Sequence, residues 1–421
     1  MDKKNILIVS HGHPDVHKGG AELAAYQLFN EYEKLGHTVT FLARSEEAPH
    51  GGAAFSVRNK ENELLFHTRH DDDFLFSNIR TRYIWSELRD LLKRLQPEVV
   101  HFHHFFLMGI ETLLEVRKTL PDAKIVFTLH EYLAICNANG LMLKEGSQKL
   151  CSKATPRDCH NCFPGKSPAD FFMREMYIKR AFSVVDQFVS PSEFLKRRYV
   201  DWGLSENIIT VIENGMPHFK AESKYGNSGS VKQNAGQYEL PSKKVQLAYF
   251  GQINRFKGLD VLLDSLLLMD KSLRSNFVLN IHGANLQYQP VAFQKKIKRA
   301  LKKLTGVAFL HGEYESADMP GLLQDTDWMV VPSVWWENSP IVIQEAFRSK
   351  VPVIASNIGG MAEKVKHNVN GLTFSVGKPL SLLETFRSIL ADPELHKTCK
   401  AGITPPISIS ESAQLNLALY K

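Results

Sequence analysis

Long hydrophobic runs are missing from this chain. No apolar stretch approaches the ~18–20 residues that a membrane-crossing helix needs. Cysteine is scarce, with five in 421 residues, which argues against a disulfide scaffold. Charge of one sign is not in large excess. Lysine and arginine number 51 against 45 acidic residues, a formal net charge of +6. That balance is too mild to argue for nucleic acid, and it suits an anionic substrate or an anionic membrane face. A GxGxxG fingerprint is absent, so nothing points to a nicotinamide or flavin. The opening Met1-Asp2-Lys3-Lys4 leads into too short and polar a stretch for a secretory signal, so a cytoplasmic protein is expected.

What is present is ordinary globular material, 43% hydrophobic and 23% charged, with length for two or three domains. Apolar runs alternate with helical patterns. Strands are expected at 5–9, 38–42, 99–102, 125–129, 187–190 and 208–212, with helices clearest at 80–95 and 168–184. A second series places strands at 246–250, 277–282, 307–310, 328–331, 351–355 and 372–374, with helices at 259–269, 293–304 and 380–390. Near-continuous apolar strands separated by helices indicate parallel sheets covered on both faces. The fold class is therefore α/β, with two tandem Rossmann-like doubly wound domains facing a cleft. The first spans 1–217 and the second 244–404. Residues 218–243, rich in Gly, Ser, Lys and Asn, read as a linker or exposed loop. The amphipathic end, 405–421, is expected to form a helix that packs back on the first domain.

Ligands of such sheets sit beyond the carboxyl ends of the strands, so the loops there carry the chemistry. The stretch 331–346 ends a buried strand and starts a helix. Ser339 is expected as its N-cap and Pro340 as its first residue. The open amides of that helix start, from Asn338 and Ser339 through Pro340 to Ile341 and Val342, suit a phosphate. Glu337 lies before the helix and Glu345 inside it, so the two carboxylates would face different parts of one ligand, and a carboxylate accepts well from a diol. The loop 251–258 offers Arg255 and Lys257. In an extended loop that spacing points both side chains toward one anion. Gly19 and Gly20 open a helix after the first strand, behind a loop holding His11, His13 and His17. His130 ends another strand of the first domain, and His101, His103 and His104 end the strand before it. Cys136, Cys151, Cys159 and Cys162 include one CxxC pair and form a candidate structural zinc set. The stretch 293–304 carries six cations and no acid. A solvated helix face is the simpler reading, and leaning on anionic lipid is the other.

With these residues in view, the chain resembles the retaining family four of glycosyltransferases, the group-one glycosyl transferases, of the GT-B fold. The resemblance runs over nearly the whole chain. It rests on GGAE at 19–22, TLHE at 128–131, SPSEF at 190–194, ENG at 213–215, GQINRFKG at 251–258, Glu337 with Glu345, and PVIASNIGG at 352–360. It implies transfer of a sugar from a nucleoside-diphosphate sugar to a hydroxyl of a glycan or lipid-linked glycan, with retention, in cell-surface polysaccharide assembly. Arg255 and Lys257 would hold the diphosphate, Glu345 the ribose, and Glu337 the transferred sugar. His130 would lie beside the reacting carbon, and the amides at 19–20 and 338–342 would add donors. No cofactor would be required for catalysis. Gln252 departs from the pattern, since the family often has arginine there. The loops 44–80 and 136–170 are expected to shape the acceptor side. A peripheral place on the inner membrane face would suit a lipid-linked acceptor. A non-catalytic sugar-nucleotide-binding relative and a sugar-nucleotide epimerase of the same architecture are the alternatives.

Overall fold

Two parallel sheets organise the molecule, a computed structural model that describes residues 2–16, 19–46, 52–78, 83–217 and 244–421. The expected linker at 218–243 and His17 of the histidine loop lie outside the described residues. One unit is Met1–Pro217 together with Ile407–Lys421, and the other ends at Pro406.

The first unit holds strands β1 (Asn5–Ser10), β2 (Thr38–Ser45), β3 (Phe55–Val57), β4 (Glu63–His67), β5 (Val99–Phe102), β6 (Lys124–Thr128), β7 (Gln187–Ser190) and β8 (Ile209–Val211). They lie in the order β3-β4-β2-β1-β5-β6-β7-β8. All pairs are parallel except β3 with β4. Strands β3 and β4 fall within the stretch expected to be an acceptor loop. β4 escapes a reading by apolar runs because it begins with a fully buried acid. Glu63 is accommodated by Tyr26 Oη, which donates at 3.0 Å, and by His13 Nε2 at 3.3 Å. A buried carboxylate persists only with such partners.

The second unit holds β9 (Val245–Phe250), β10 (Phe277–His282), β11 (Ala308–Gly312), β12 (Trp328–Val331), β13 (Val353–Ser356) and β14 (Gly371–Phe374). Their order is β11-β10-β9-β12-β13-β14, parallel throughout. Counted within the sheet this is 3-2-1-4-5-6. The order reverses between β9 and β12, and in sheets of this kind the loops beyond the carboxyl ends of the strands at such a reversal hold the ligand. In the first sheet the same reversal falls between β1 and β5.

The C-terminal helix, Ile409–Leu419, belongs to the first unit. Ser408 and Glu411 form a capping box at its start. Ile409, Ala413, Leu417 and Tyr420 join the core built on Ile6, Ile8, Phe29 and Phe41. Tyr420 Oη lies 2.8 Å from Tyr32 Oη and 2.6 Å from His101 Nδ1, so the chain end is tied to the sheet by polar as well as apolar contacts. Leu417→Ala is expected to lower the stability of this unit by about 2–5 kcal/mol in urea denaturation. Leu415→Ala, on the exposed face of the same helix, should stay within about 0.5 kcal/mol. Equal effects would mean the helix is not docked this way.

Candidate functional site

In the second unit, the loops after β9 and β12 are bound to each other. The Val334 amide donates to the Phe256 carbonyl at 2.8 Å. Gly258, at φ +68°, lies so close to the Pro332 carbonyl that a Cβ would collide with it. The loop after β13 closes the third side. The Gly360 amide donates to the Glu337 carbonyl at 2.7 Å, and its Cα lies where any side chain would strike the Asn338 carbonyl. PVIASNIGG thus has a local purpose, since its second glycine lets the β13 loop support Glu337.

Glu337 is 6% exposed, and one of its oxygens is crowded with donors. Oε1 accepts from Lys257 Nζ at 2.7 Å, Ser333 Oγ at 2.8 Å and Trp335 Nε1 at 2.9 Å. Among the described residues, Oε2 has no donor. An ammonium carries three protons, so Lys257 keeps two for a ligand. Ser333 and Trp335 are site residues within the stretch 331–346 to which residue type alone assigns no task. Their signal was their place between the strand end and Glu337.

The helix that follows runs Ile341–Arg348. Its cap is Pro340, one residue later than expected, and it makes no side-chain cap bond. Ser339 therefore does not cap it. The Ser339 hydroxyl is buried and without a partner among the described residues. Glu345, 4% exposed, accepts from Ser316 Oγ at 2.8 Å, and burial pushes its carboxyl above the usual range.

The loop 251–258 is not extended. The Asn254 side chain accepts from the amides of Phe256 at 2.9 Å and Lys257 at 3.1 Å, which folds the loop into an Asx turn. Lys257 is thereby turned to Glu337. Arg255 is exposed, with its guanidinium 4.6 Å from the Phe256 ring centre. The expected parallel alignment of the two cations is not what the turn produces.

In the first unit, histidines gather at the reversal point. The His11 and His104 rings lie 4.3 Å apart and tilted by 50°, and His11 Nε2 meets Glu22 Oε1 at 3.2 Å. His103 Nδ1 lies 3.0 Å from His130 Nε2, and His101 Nε2 lies 2.7 Å from Thr128 Oγ1. Gly19 caps the helix Gly20–Lys34, but the Glu22 carboxylate lies against Gly19. A phosphate placed on those amides would meet that negative charge. The buried Arg174, missed in the sequence, donates to the carbonyls of Leu133 at 2.7 Å and Ala134 at 2.9 Å. It thereby holds the chain just beyond His130.

The four clustered cysteines line one small cavity with Ala138, Met142, Leu143 and Phe163. All are free thiols. Among the described residues, no three His, Cys, Asp or Glu side chains come close enough to hold a metal ion. The zinc expectation finds no such group among the described residues. Burial raises the thiols of Cys136, Cys151 and Cys159 above the usual range, with Cys159 pushed up to about 12. Among the described residues of the histidine loop, His11 meets Glu22, and His13 lies between Glu63 and Asp15.

Residues 18–218 match the model of Glycosyltransferase Family 4, and residues 230–403 match that of Glycosyl transferases group 1. The chain belongs to this glycosyltransferase family. Lipopolysaccharide 1,2-N-acetylglucosaminetransferase of Salmonella typhimurium is 28% identical over 218 residues, covering 50% of this chain and 55% of that relative. The chain spans about half the length of this and similar curated relatives. Glycogen synthase of Mycobacterium tuberculosis is 22% identical over 413 residues, 92% of this chain and 86% of that one. The solved structure of Anabaena Alr3699/HepE in complex with UDP has a TM-score of 0.64 at 15% identity, covering 98% of both chains. That likeness places the fold among the GT-B glycosyltransferases.

Burial holds the His101 and His130 imidazoles down to about 3, and His103 and His104 are also depressed, with neighbouring imidazoles adding to the effect on His103 and His130. These rings are neutral in the fold at pH 7, whereas an unfolded chain protonates them below about 6.5. Stability from this cluster is full above pH 6.5 and is lost as pH falls toward 3, by up to about 1.4 kcal/mol per pH unit for each histidine. Denaturation midpoints measured at pH 7.5 and 5 should drop accordingly, and His101→Gln should lessen the slope. A flat profile would contradict this picture of the cluster.

Proposed function

We propose that this glycosyltransferase moves a sugar from a nucleoside-diphosphate sugar to a hydroxyl of a glycan or lipid-linked glycan, with retention of configuration. Its setting would be cell-surface polysaccharide assembly at the cytoplasmic face of the membrane. The observation that carries the reading is the Lys257–Glu337 pair, 2.7 Å apart, at the reversal point of the second sheet.

A departing nucleoside diphosphate develops negative charge, and fixed positive groups aimed at it lower the barrier. Lys257 has two free protons for that task. The uncapped amides at Ile341 and Val342, and the unpartnered Ser339 hydroxyl, are further donors at the same loop. The transfer then draws its positive field from the protein itself. Oε2 of Glu337 is open to hydroxyls of the transferred sugar. The free oxygen of Glu345 would take the ribose diol, whose donors favour the charged carboxylate that burial disfavours. Arg255, on the exposed side of its turn, would reach the diphosphate only by leaving the Phe256 ring. Following the family resemblance, His130 would contact the sugar as a neutral imidazole. The amides at Gly19 and Gly20 would be weaker donors because of Glu22. The acceptor class is supported by the lipopolysaccharide transferase among the relatives.

The test is turnover against a panel of UDP-, GDP- and ADP-sugars. Lys257→Ala should lower kcat/KM by about 10²–10³. Glu345→Ala should raise the donor KM about 10- to 100-fold, the loss of hydrogen bonds to a charged group. Both variants should keep the circular dichroism of the parent. Folded variants with normal turnover would show that the donor binds elsewhere.

A further inference from the structure

The helix Val291–Lys303 in the second unit is unusual in its charge. Lys295, Lys296, Lys298, Arg299, Lys302 and Lys303 lie on it, and it carries no acid. Lys296 is neutralised by Asp260 at 2.7 Å and Asp264 at 3.0 Å. Among the described residues, the other five have no acidic partner. Lys295, Arg299 and Lys303 repeat at i, i+4 and i+8, so like charges stack along one face, a spacing that destabilises a helix in isolation. These three line a groove of ≈ 330 Å³ with Ala292, against Asp264 and Leu267 of the neighbouring helix Leu259–Leu267.

Two apolar side chains stand at the start of the same helix. Tyr288 is 79% exposed and Val291 is 64% exposed. A row of unpaired cations beside exposed apolar groups is the composition of a surface that rests on anionic lipid. The cations meet headgroup phosphates while the apolar side chains enter the interface. Nucleic acid would use the cations and leave Tyr288 and Val291 unexplained, apart from a single stacking ring. A competing apolar patch exists on the helix Pro168–Phe182, where Phe172, Met173 and Met176 are exposed. Of its cations Arg174 is buried and Lys179 pairs with Glu175, which leaves Arg180 against the five of the Val291–Lys303 helix.

We infer that the Val291–Lys303 helix, with Tyr288, is a docking surface for an anionic phospholipid membrane. No residue of this surface belongs to the donor site, so the inference stands or falls apart from the transfer chemistry.

The experiment is flotation with vesicles of phosphatidylcholine alone and of phosphatidylcholine mixed with phosphatidylglycerol. The parent protein should bind the mixed vesicles and release as salt is raised. Lys295→Gln, Arg299→Gln and Lys303→Gln together should weaken that binding about a hundredfold, at about fivefold per cation. Turnover on a soluble acceptor should be unchanged in this triple variant. Tyr288→Ser should weaken vesicle binding severalfold with little change in salt dependence. The inference is overturned by equal binding to both vesicle types, or by a triple variant that binds like the parent. Capture by heparin with no vesicle binding would overturn it too. So would loss of vesicle binding in Phe172→Ser with Met176→Ser while the triple variant binds normally.

Discussion

The contact between Lys257 and Glu337 is the constraint around which the second unit is arranged. A nearly buried carboxylate costs several kcal/mol of desolvation, and a single ammonium seldom recovers it with profit to stability. Here the protein adds a serine hydroxyl and an indole N–H to the same oxygen. It then holds the loop in place with two glycines that no larger residue could replace. That much local accommodation for one carboxylate is hard to attribute to stability, since an apolar residue of similar size would serve the core as well. It is readily understood if one carboxylate oxygen and two ammonium protons must be kept in fixed positions for a ligand. Sheet topology explains why the pair forms where it does, since β9 and β12 are adjacent strands whose following helices leave in opposite directions.

The first unit is organised by a different device. Its reversal point is filled with imidazoles rather than with an ion pair. His101 links Thr128 to Tyr420, and Tyr420 links onward to Tyr32, so the C-terminal helix is joined to the centre of the sheet. His130 sits one contact away, against His103. Neutral rings can donate and accept within such a network without the desolvation cost of a buried charge. The chain end is therefore part of the support beneath His130, and Arg174 supplies the rest from the other side.

Most of both sheets was legible in the sequence because parallel strands are buried on two faces and read as unbroken apolar runs. The strand β4 was not, because its first residue is a buried acid whose partners are remote in sequence. Glu337, Glu345 and Lys257 were legible from residue type and from their place after strand ends. The orientation of Arg255 was not, because Asn254 folds the loop locally and reverses an argument made for extended chain. Ser339 has the composition of a cap, yet Pro340 takes the position and leaves the hydroxyl free. Four cysteines at suggestive spacing do come together around one cavity. Spacing alone carries no information about whether the sulfurs converge. Helix 291–303 shows the opposite case. Its charge was plain in the sequence, but only the fold shows that five of the six cations are left without acidic partners among the described residues.

A crystal structure with a bound nucleoside-diphosphate sugar, chosen as the one that most raises the melting temperature, tests the central claim most directly. The diphosphate should lie within hydrogen-bond distance of Lys257 Nζ and of the amides that open the helix Ile341–Arg348, with the sugar on Glu337 and the ribose on Glu345. Density for the nucleotide away from the β9–β12 reversal point, or a Lys257 that still spends itself only on Glu337, would contradict the account.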